Sequence, residues 1–365
     1  MRRRLSVAGI IVGVLLLLAA GVTRFVAAPT LAVLPSDTDT TRTYEGTAAV
    51  LLNAQALSSP GSGEVLLRDV PIEVQQRTQV LDTDGDNALI DNTRTVEAAD
   101  GTSVAAVEHR YAVDRTDMGS GDGFDDVVEQ TGQTFGWPIR TEKKDYTGWV
   151  TDTQSTTPLR YTGTESVGGI ETYVFEASME PTPITDPQVL QNLPPALPKA
   201  TLTGLAAGLG LPADTLAALQ QALPQLPDPV QLAYTFAVDA TYYVAPDSGV
   251  VIDAQKREVR DVGIVAGSAT IPAGPVLDLS FSATDATLAE AVDDAQDSGD
   301  SISLLYTTLP LLLLGLGALV LLLSVVGLAG ARRRGGQTPP GGPGPYPTAP
   351  TTGASARRPA PDRPV

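Results

Sequence analysis

Two long uncharged runs frame the chain, and alternating strand-like segments lie between them. The first run, residues 5–23 (LSVAGIIVGVLLLLAAGVT), follows Arg2, Arg3 and Arg4. The second, residues 301–331, holds a dense apolar stretch at 309–331 and ends on Arg332, Arg333 and Arg334. As a helix, 309–331 spans about 35 Å, against a hydrocarbon core of about 30 Å. Arginines at the outer end of each run place both ends in the cytoplasm by the positive-inside rule. The intervening residues, 28–303, are then expected outside. A cleaved signal peptide is the competing reading of the first run, with Val26-Ala27-Ala28 as its small-residue site. The run is longer than the usual apolar core of such a peptide, and Arg24 separates it from that site, so an uncleaved helix is expected. Gly9 and Gly13 form a GxxxG pair of the kind that lets membrane helices approach closely.

Between the runs, period-two alternation and turn dipeptides predict strands. Ile72, Val74 and Val80 lie in one such run. Asp84-Gly85 and Asp100-Gly101 are hairpin dipeptides. Val104, Val107 and Tyr111 are expected to point inward, and residues 70–115 are expected to form an antiparallel meander. A polar Gly/Asp loop follows at 117–126. Phe135, Trp137, Tyr146, Trp149, Tyr161, Tyr173 and Phe175 then concentrate the aromatics, which marks the main core; a ligand-stacking platform is the sharper alternative. Further on, Pro246-Asp247-Ser248-Gly249 is the turn of another hairpin. Val276, Leu277, Leu279 and Phe281 form a last strand, and residues 288–296 a short acidic helix.

Residues 186–228 break this pattern. They are rich in Leu, Ala, Pro and Gln, with helical spacing at Leu202, Leu205 and Leu209 and again at Leu216, Leu219 and Leu223. Prolines punctuate the short helices. This insert either caps the sheet or forms an apolar mouth that handles acyl chains. The Pro-rich residues 335–365 have no apolar pattern with which to bury a core.

Charge sharpens the topology. Residues 28–303 carry 14 Lys and Arg against 41 Asp and Glu, whereas both ends are basic. So acidic a segment repels nucleic acid. With no Cys and one His, thiolate and multi-histidine metal sites are excluded. Asp82, Asp84 and Asp86 look like the start of a calcium loop, but Asn87 and Thr93 stand where that loop needs Gly and Glu. The GSGDG at 119–123 lacks the strand, helix and Lys of a phosphate loop. His109 has no nucleophile elbow to serve and reads as a satisfied or surface histidine.

The series VEHRYAVDRTDMGSGDG, FGWPI, KKDYTGWV, YTGTESVGGIETYVFEA and YYVAPDSGVV resembles an actinobacterial family of membrane proteins known as PorA-like. The residues that carry it are Asp114-Arg115, Tyr146, Trp149, Gly168, Tyr173, Phe175, Tyr243, Pro246 and Gly249, and the resemblance covers nearly all of residues 5–331. It implies an anchored, β-rich outer domain similar to scavenger-receptor class B ectodomains, and a part in cell-envelope lipoglycan maturation. It carries over no catalytic residue.

The expected fold is α+β: a large antiparallel β-rich periplasmic domain with a small helical insert, flanked by two transmembrane helices. Its divisions are 1–27 (basic N-terminus and first span), 28–185 (β-rich, first part), 186–228 (insert), 229–303 (β-rich, second part), 304–331 (second span) and 332–365 (cytoplasmic tail). The expected function is non-enzymatic, without cofactor or metal: binding of lipid or lipoglycan at the plasma membrane, with Leu202, Leu205, Leu209, Leu216, Leu219 and Leu223 as the lipid-contacting residues. An oligomeric pore and a scaffold for envelope-biosynthesis proteins are the alternatives.

Overall fold

The structure is a computed structural model and describes residues 2–53, 56, 64–208 and 213–335. Its strands are β1 (Asp39–Leu52), β2 (Leu66–Leu67), β3 (Val70–Asp84), β4 (Asn87–Ala98), β5 (Ser103–Asp114), β6 (Tyr146–Val150), β7 (Ser155–Val167), β8 (Ile170–Pro183), β9 (Ala196–Leu197), β10 (Val230–Val244), β11 (Val251–Ala266) and β12 (Ala269–Ala283). Its helices are α1 (Arg2–Val22), α2 (Ala28–Leu31), α3 (Pro187–Gln191), α4 (Lys199–Gly208), α5 (Ala213–Ala222), α6 (Asp285–Ser303) and α7 (Leu309–Gly335). The class is α+β, with an antiparallel β-rich domain and two apolar terminal helices. Two units are distinguished: the helical segments up to Leu17 and from Gly315 onward, and Leu18–Leu314.

In the larger unit the sheet order is β5-β4-β3-β1-β12-β11-β10-β8-β7-β6, with β2 on β1 and β9 on β10. The meander expected at 70–115 is β3, β4 and β5. Gly85 and Gly101 take positive φ in its two turns, where a side chain would be strained. β1 has no clear alternation of its own: Thr, Arg and Glu fill its first half, and only Ala48, Val50 and Leu51 are buried. It is held from both sides by backbone pairing, with Tyr44 opposite Val74 on β3 and Ala283 on β12. It thereby joins the meander to the C-terminal strands.

The two ends of this strand order are brought together by the polar loop after β5. On one side Ser120 bridges Val113, and the Val128 N–H donates to the Arg110 carbonyl at 2.8 Å. On the other, Gln133 bridges Gly148, and the Trp149 N–H donates to the Gln133 carbonyl at 2.8 Å. The Tyr111 and Thr151 hydroxyls meet at 2.8 Å across the same seam. The loop thus links β5 to β6, which do not pair directly.

α6 is longer than the helix expected at 288–296. Thr284 caps it by accepting from the Thr287 N–H at 3.2 Å. Ala291, Val292 and Ala295 are buried with Ala245 and Ile252. A π-type turn, Leu304–Thr308, links α6 to α7, and another, Thr23–Ala27, precedes α2. Each lies just before a proline, Pro310 or Pro29, which has no N–H for the carbonyl four residues back. For Pro310 that carbonyl belongs to Tyr306, and the Arg24 guanidinium donates to it instead.

In the helical unit, the GxxxG glycines face the second helix. A Cβ on Gly13 would stand 2.6 Å from Leu321 Cγ and 3.0 Å from the Gly317 carbonyl oxygen. Gly9 faces Ser324 in the same way. The small residues let the backbones meet where larger ones would part them.

Candidate functional site

The inward row of β11 carries the least expected chemistry. Ile252, Ala254, Lys256, Glu258, Arg260, Val262 and Ile264 alternate onto one face, and all but Lys256 are buried. The row is apolar at both ends and charged in the middle. Glu258 accepts from Arg94 of β4 at 2.7 Å, across three intervening strands. Arg260 donates through Nε and Nη2 to one oxygen of Asp152, at 2.9 and 2.8 Å. Asp152 sits in the short helical turn after β6, so this pair ties β11 to the closing seam.

Lys256 is different. Among the described residues its ammonium makes no hydrogen bond and no ion pair; it lies 5.2 Å from the centre of the Tyr242 ring. Burial opposes its charge, but the Tyr242 phenol, Glu258 and the Tyr44 phenol outweigh this and hold its pKa above the ordinary lysine value. Trp137 packs on the same Tyr242 ring, at 5.0 Å between centres. Its indole N–H is buried and makes no hydrogen bond. Two polar groups therefore meet Tyr242 without a direct hydrogen-bond partner among the described residues: the Lys256 ammonium, which feels Glu258 only through its charge, and the Trp137 indole N–H.

The sequence-marked aromatics divide between two clusters. Trp137 and Phe175 are buried in the largest core cluster, with Tyr146, Tyr161 and Tyr173 packed against it. Phe135 and Trp149 pack in a second cluster, around Tyr111. Of the leucines singled out, Leu202 and Leu219 are buried in the largest cluster, and Leu216 and Leu223 pack at its margin. Leu209 and the side chain of Leu205 lie outside the described residues.

His109 is buried, and its Nε2 faces Asp186 Oδ2 at 2.7 Å. The other Asp186 oxygen caps α3, accepting from the Gln188 and Val189 N–H groups at 2.7 and 3.2 Å. This pair fastens the start of the insert to β5. Burial works against the Asp186 carboxylate, but His109 and the two N–H groups hold its pKa below the usual aspartate value. Burial likewise works against Glu258, and Arg94 and Lys256 hold it below the usual glutamate value. Both groups take up protons more readily unfolded than folded. Their contribution to stability is complete above about pH 5 and drains as pH falls through the folded values. Thermal melts should be flat from about pH 7 to 5 and drop below about pH 4, with Asp186→Asn reducing the slope. A midpoint unchanged down to about pH 3 would contradict this assignment.

Arg260, Glu258, Arg94 and Lys256 went unmarked in the sequence. The available sign was five charges among the seven residues of QKREVRD, within a strand whose flanks are apolar on the same face.

The chain matches the family described as porin PorA over residues 5–326. No curated protein matches it. Among solved structures it is similar to a MaoC-domain dehydratase from Chloroflexus aurantiacus, at 10% identity, covering 74% of this chain and 80% of that one, with a TM-score of 0.14. A double-hotdog protein from Mycobacterium tuberculosis matches at 12% identity, 74% and 80% coverage and a TM-score of 0.14. An acyl-CoA thioesterase II from Mycobacterium marinum matches at 12%, 67% and 81%, with a TM-score of 0.11. At these TM-scores the likenesses bear on neither fold nor activity.

Proposed function

The chain belongs to the porin PorA family, and from that premise we propose that this membrane protein binds a lipid or lipoglycan inside its sheet domain and assists its maturation or transfer in the cell envelope. The observation that carries the reading is the β11 row, apolar-charged-apolar, with an ammonium at its centre that makes no hydrogen bond or ion pair among the described residues. An amphiphile has the matching order of parts. Its anionic headgroup would pair with Lys256 and accept from the Trp137 indole, which stabilises more than the same contacts between neutral groups. Its acyl chains would lie along the apolar cluster. Leu202, Leu205, Leu209, Leu216, Leu219 and Leu223 would wall that part, with the insert as cap. In this proposal the apolar parts of two long helices, Arg4–Leu31 and Asp285–Ala329, the second from Leu309 onward, both cross the membrane, and the sheet domain with α6 stands outside it.

The family's description favours a second reading, a pore. The first run has no charge from residue 5 to 23 and the second none from 301 to 331, so a conducting path through these helices would need several copies. Two measurements separate the readings. Native mass spectrometry of the full-length chain, extracted in mild detergent, should show a bound lipid or lipoglycan at near one per chain. Planar bilayers with the same preparation should stay silent. Stepwise conductance from a lipid-free preparation would reverse the ranking.

A further inference from the structure

A groove of about 1140 Å³ opens beside the start of α7. Its walls come from the 138–144 loop, the start of β8, the β10–β11 turn and the last turns of α6, ending at Tyr306. Tyr306 is three residues from Leu309, where the apolar helix begins.

The lining has an unusual arrangement of charge. In a segment with 14 basic residues among 276, Arg140, Lys143 and Lys144 fall within five positions. Each lies over a tyrosine: Arg140 at 4.6 Å from the Tyr306 ring, Lys143 at 4.9 Å from Tyr173 and Lys144 at 5.4 Å from Tyr146. Lys144 also pairs with Glu142 at 2.5 Å. Arg140 and Lys143 make no hydrogen bond or ion pair to a carboxylate among the described residues, Arg140 reaching Glu142 through charge alone, although Glu171, Asp247 and Asp300 line the same groove. These three acids are in turn without a cation among the described residues. Asp247 and α6 are close, since a Cβ on Gly299 would stand 3.8 Å from Asp247 Cβ.

The backbone also holds Arg140 at a cost. Its φ is 62°, left-handed for a residue with a side chain. Its N–H donates to the Asp247 carbonyl at 3.0 Å, and the Thr141 hydroxyl donates to the Pro138 carbonyl at 2.7 Å. Strain of this kind persists where surrounding contacts over-determine it, and such positions cluster at binding sites.

We propose that this groove binds the headgroup of a zwitterionic aminophospholipid from the adjoining leaflet. Its phosphate pairs with Arg140 and Lys143, and its primary ammonium donates to Asp247 and Asp300. Unpaired charges of both signs in one groove fit a dipolar headgroup better than a purely anionic one. The tyrosine faces are already covered by the chain's own cations. What remains for the ligand's amine is therefore carboxylate, which favours a primary ammonium with hydrogens to donate over a quaternary one. The same phosphate–ammonium dipole exists in free phosphoethanolamine, so the test includes it.

The full-length chain in nonionic detergent, carrying Lys256→Met to silence the interior cation, is titrated with four probes. These are dihexanoyl phosphatidylethanolamine, dihexanoyl phosphatidylglycerol, dihexanoyl phosphatidylcholine and free phosphoethanolamine. Phosphatidylethanolamine should bind at least about tenfold tighter than the other three, the size of one charge-assisted contact. Arg140→Gly with Lys143→Gln should weaken it by a further tenfold or more. Glycine accepts the φ at residue 140 without strain, so that variant should melt no lower than its parent. Asp247→Asn with Asp300→Asn should abolish the preference over phosphatidylglycerol. Equal affinity for phosphatidylethanolamine and phosphatidylglycerol, or indifference to both double variants, would overturn the proposal. Free phosphoethanolamine binding as tightly as the lipid would overturn the lipid source.

Discussion

Asp152→Ala is expected to destabilise the sheet domain by about 3–5 kcal/mol, because it takes from a buried guanidinium its hydrogen-bonded carboxylate and leaves Glu258 alone to face Arg94, Lys256 and Arg260. Arg260 has its Nε and Nη2 on one Asp152 oxygen, and both residues are about nine-tenths buried. Neither is reachable by enough water to replace the lost partner. The turn bearing Asp152 also receives the Thr185 and Asp186 N–H groups on the Asp152 carbonyl, at 3.0 and 3.1 Å. Loosening it should therefore free the insert as well. The double variant Asp152→Leu with Arg260→Met removes both charges at similar volume and should return to within about 1–2 kcal/mol of wild type. Urea denaturation of the three proteins checks this. An alanine variant as stable as wild type would mean that the pair is solvated and that the interior is more open than the contacts indicate.

Lys256→Met is expected to separate binding from stability. The methionine keeps the apolar stem and removes the ammonium, which lies by Tyr242 and interacts with Glu258 through charge alone, with no hydrogen bond or ion pair among the described residues. Glu258 retains Arg94 at 2.7 Å, so no acid is orphaned. The melting midpoint should therefore hold, with a change of under about 1 kcal/mol. Affinity for an anionic amphiphile should fall by roughly 10–100-fold, the worth of a hydrogen bond to a charged group. Affinity for a neutral diacylglycerol should not move. Loss of both ligands together would point to a packing role for Lys256, and loss of neither would remove it from the site.

How far the sequence led differs by element. The meander of β3, β4 and β5 was legible because Ile72, Val74 and Val80 alternate and because Asp84-Gly85 and Asp100-Gly101 punctuate them. The apolar helices were legible from length and flanking arginines. β1 was not, because its first half is Thr-rich and draws its place from pairing with β3 and β12 rather than from a buried face. The α6 helix was read short: its buried Ala291 and Ala295 are too small to mark an apolar stripe.

The candidate site shows the same division. Helical spacing picked out Leu202 and Leu219, which are buried in the main cluster. The charged centre of β11 was hidden, since Gln255 and Arg257 on the other face are polar too and the alternation vanishes. Only partners 164 and 108 residues away, Arg94 and Asp152, make Glu258 and Arg260 interior residues. His109 read as a satisfied or surface histidine; it is buried, and its partner Asp186 lies in the insert, beyond any local pattern.

The central claim, an amphiphile held inside the sheet domain, is tested most directly by Trp137. The chain has two tryptophans, so Trp149→Phe leaves Trp137 as the sole indole reporter. Trp137 is 4% exposed and packs on Phe175 and Tyr242. Phospholipids brominated along the acyl chain quench an indole only on close approach. The account predicts saturable quenching of Trp137 at about one lipid per chain, weakened by Lys256→Met. Fluorescence unchanged by brominated lipid, while the folded chain still inserts into the same vesicles, would contradict it.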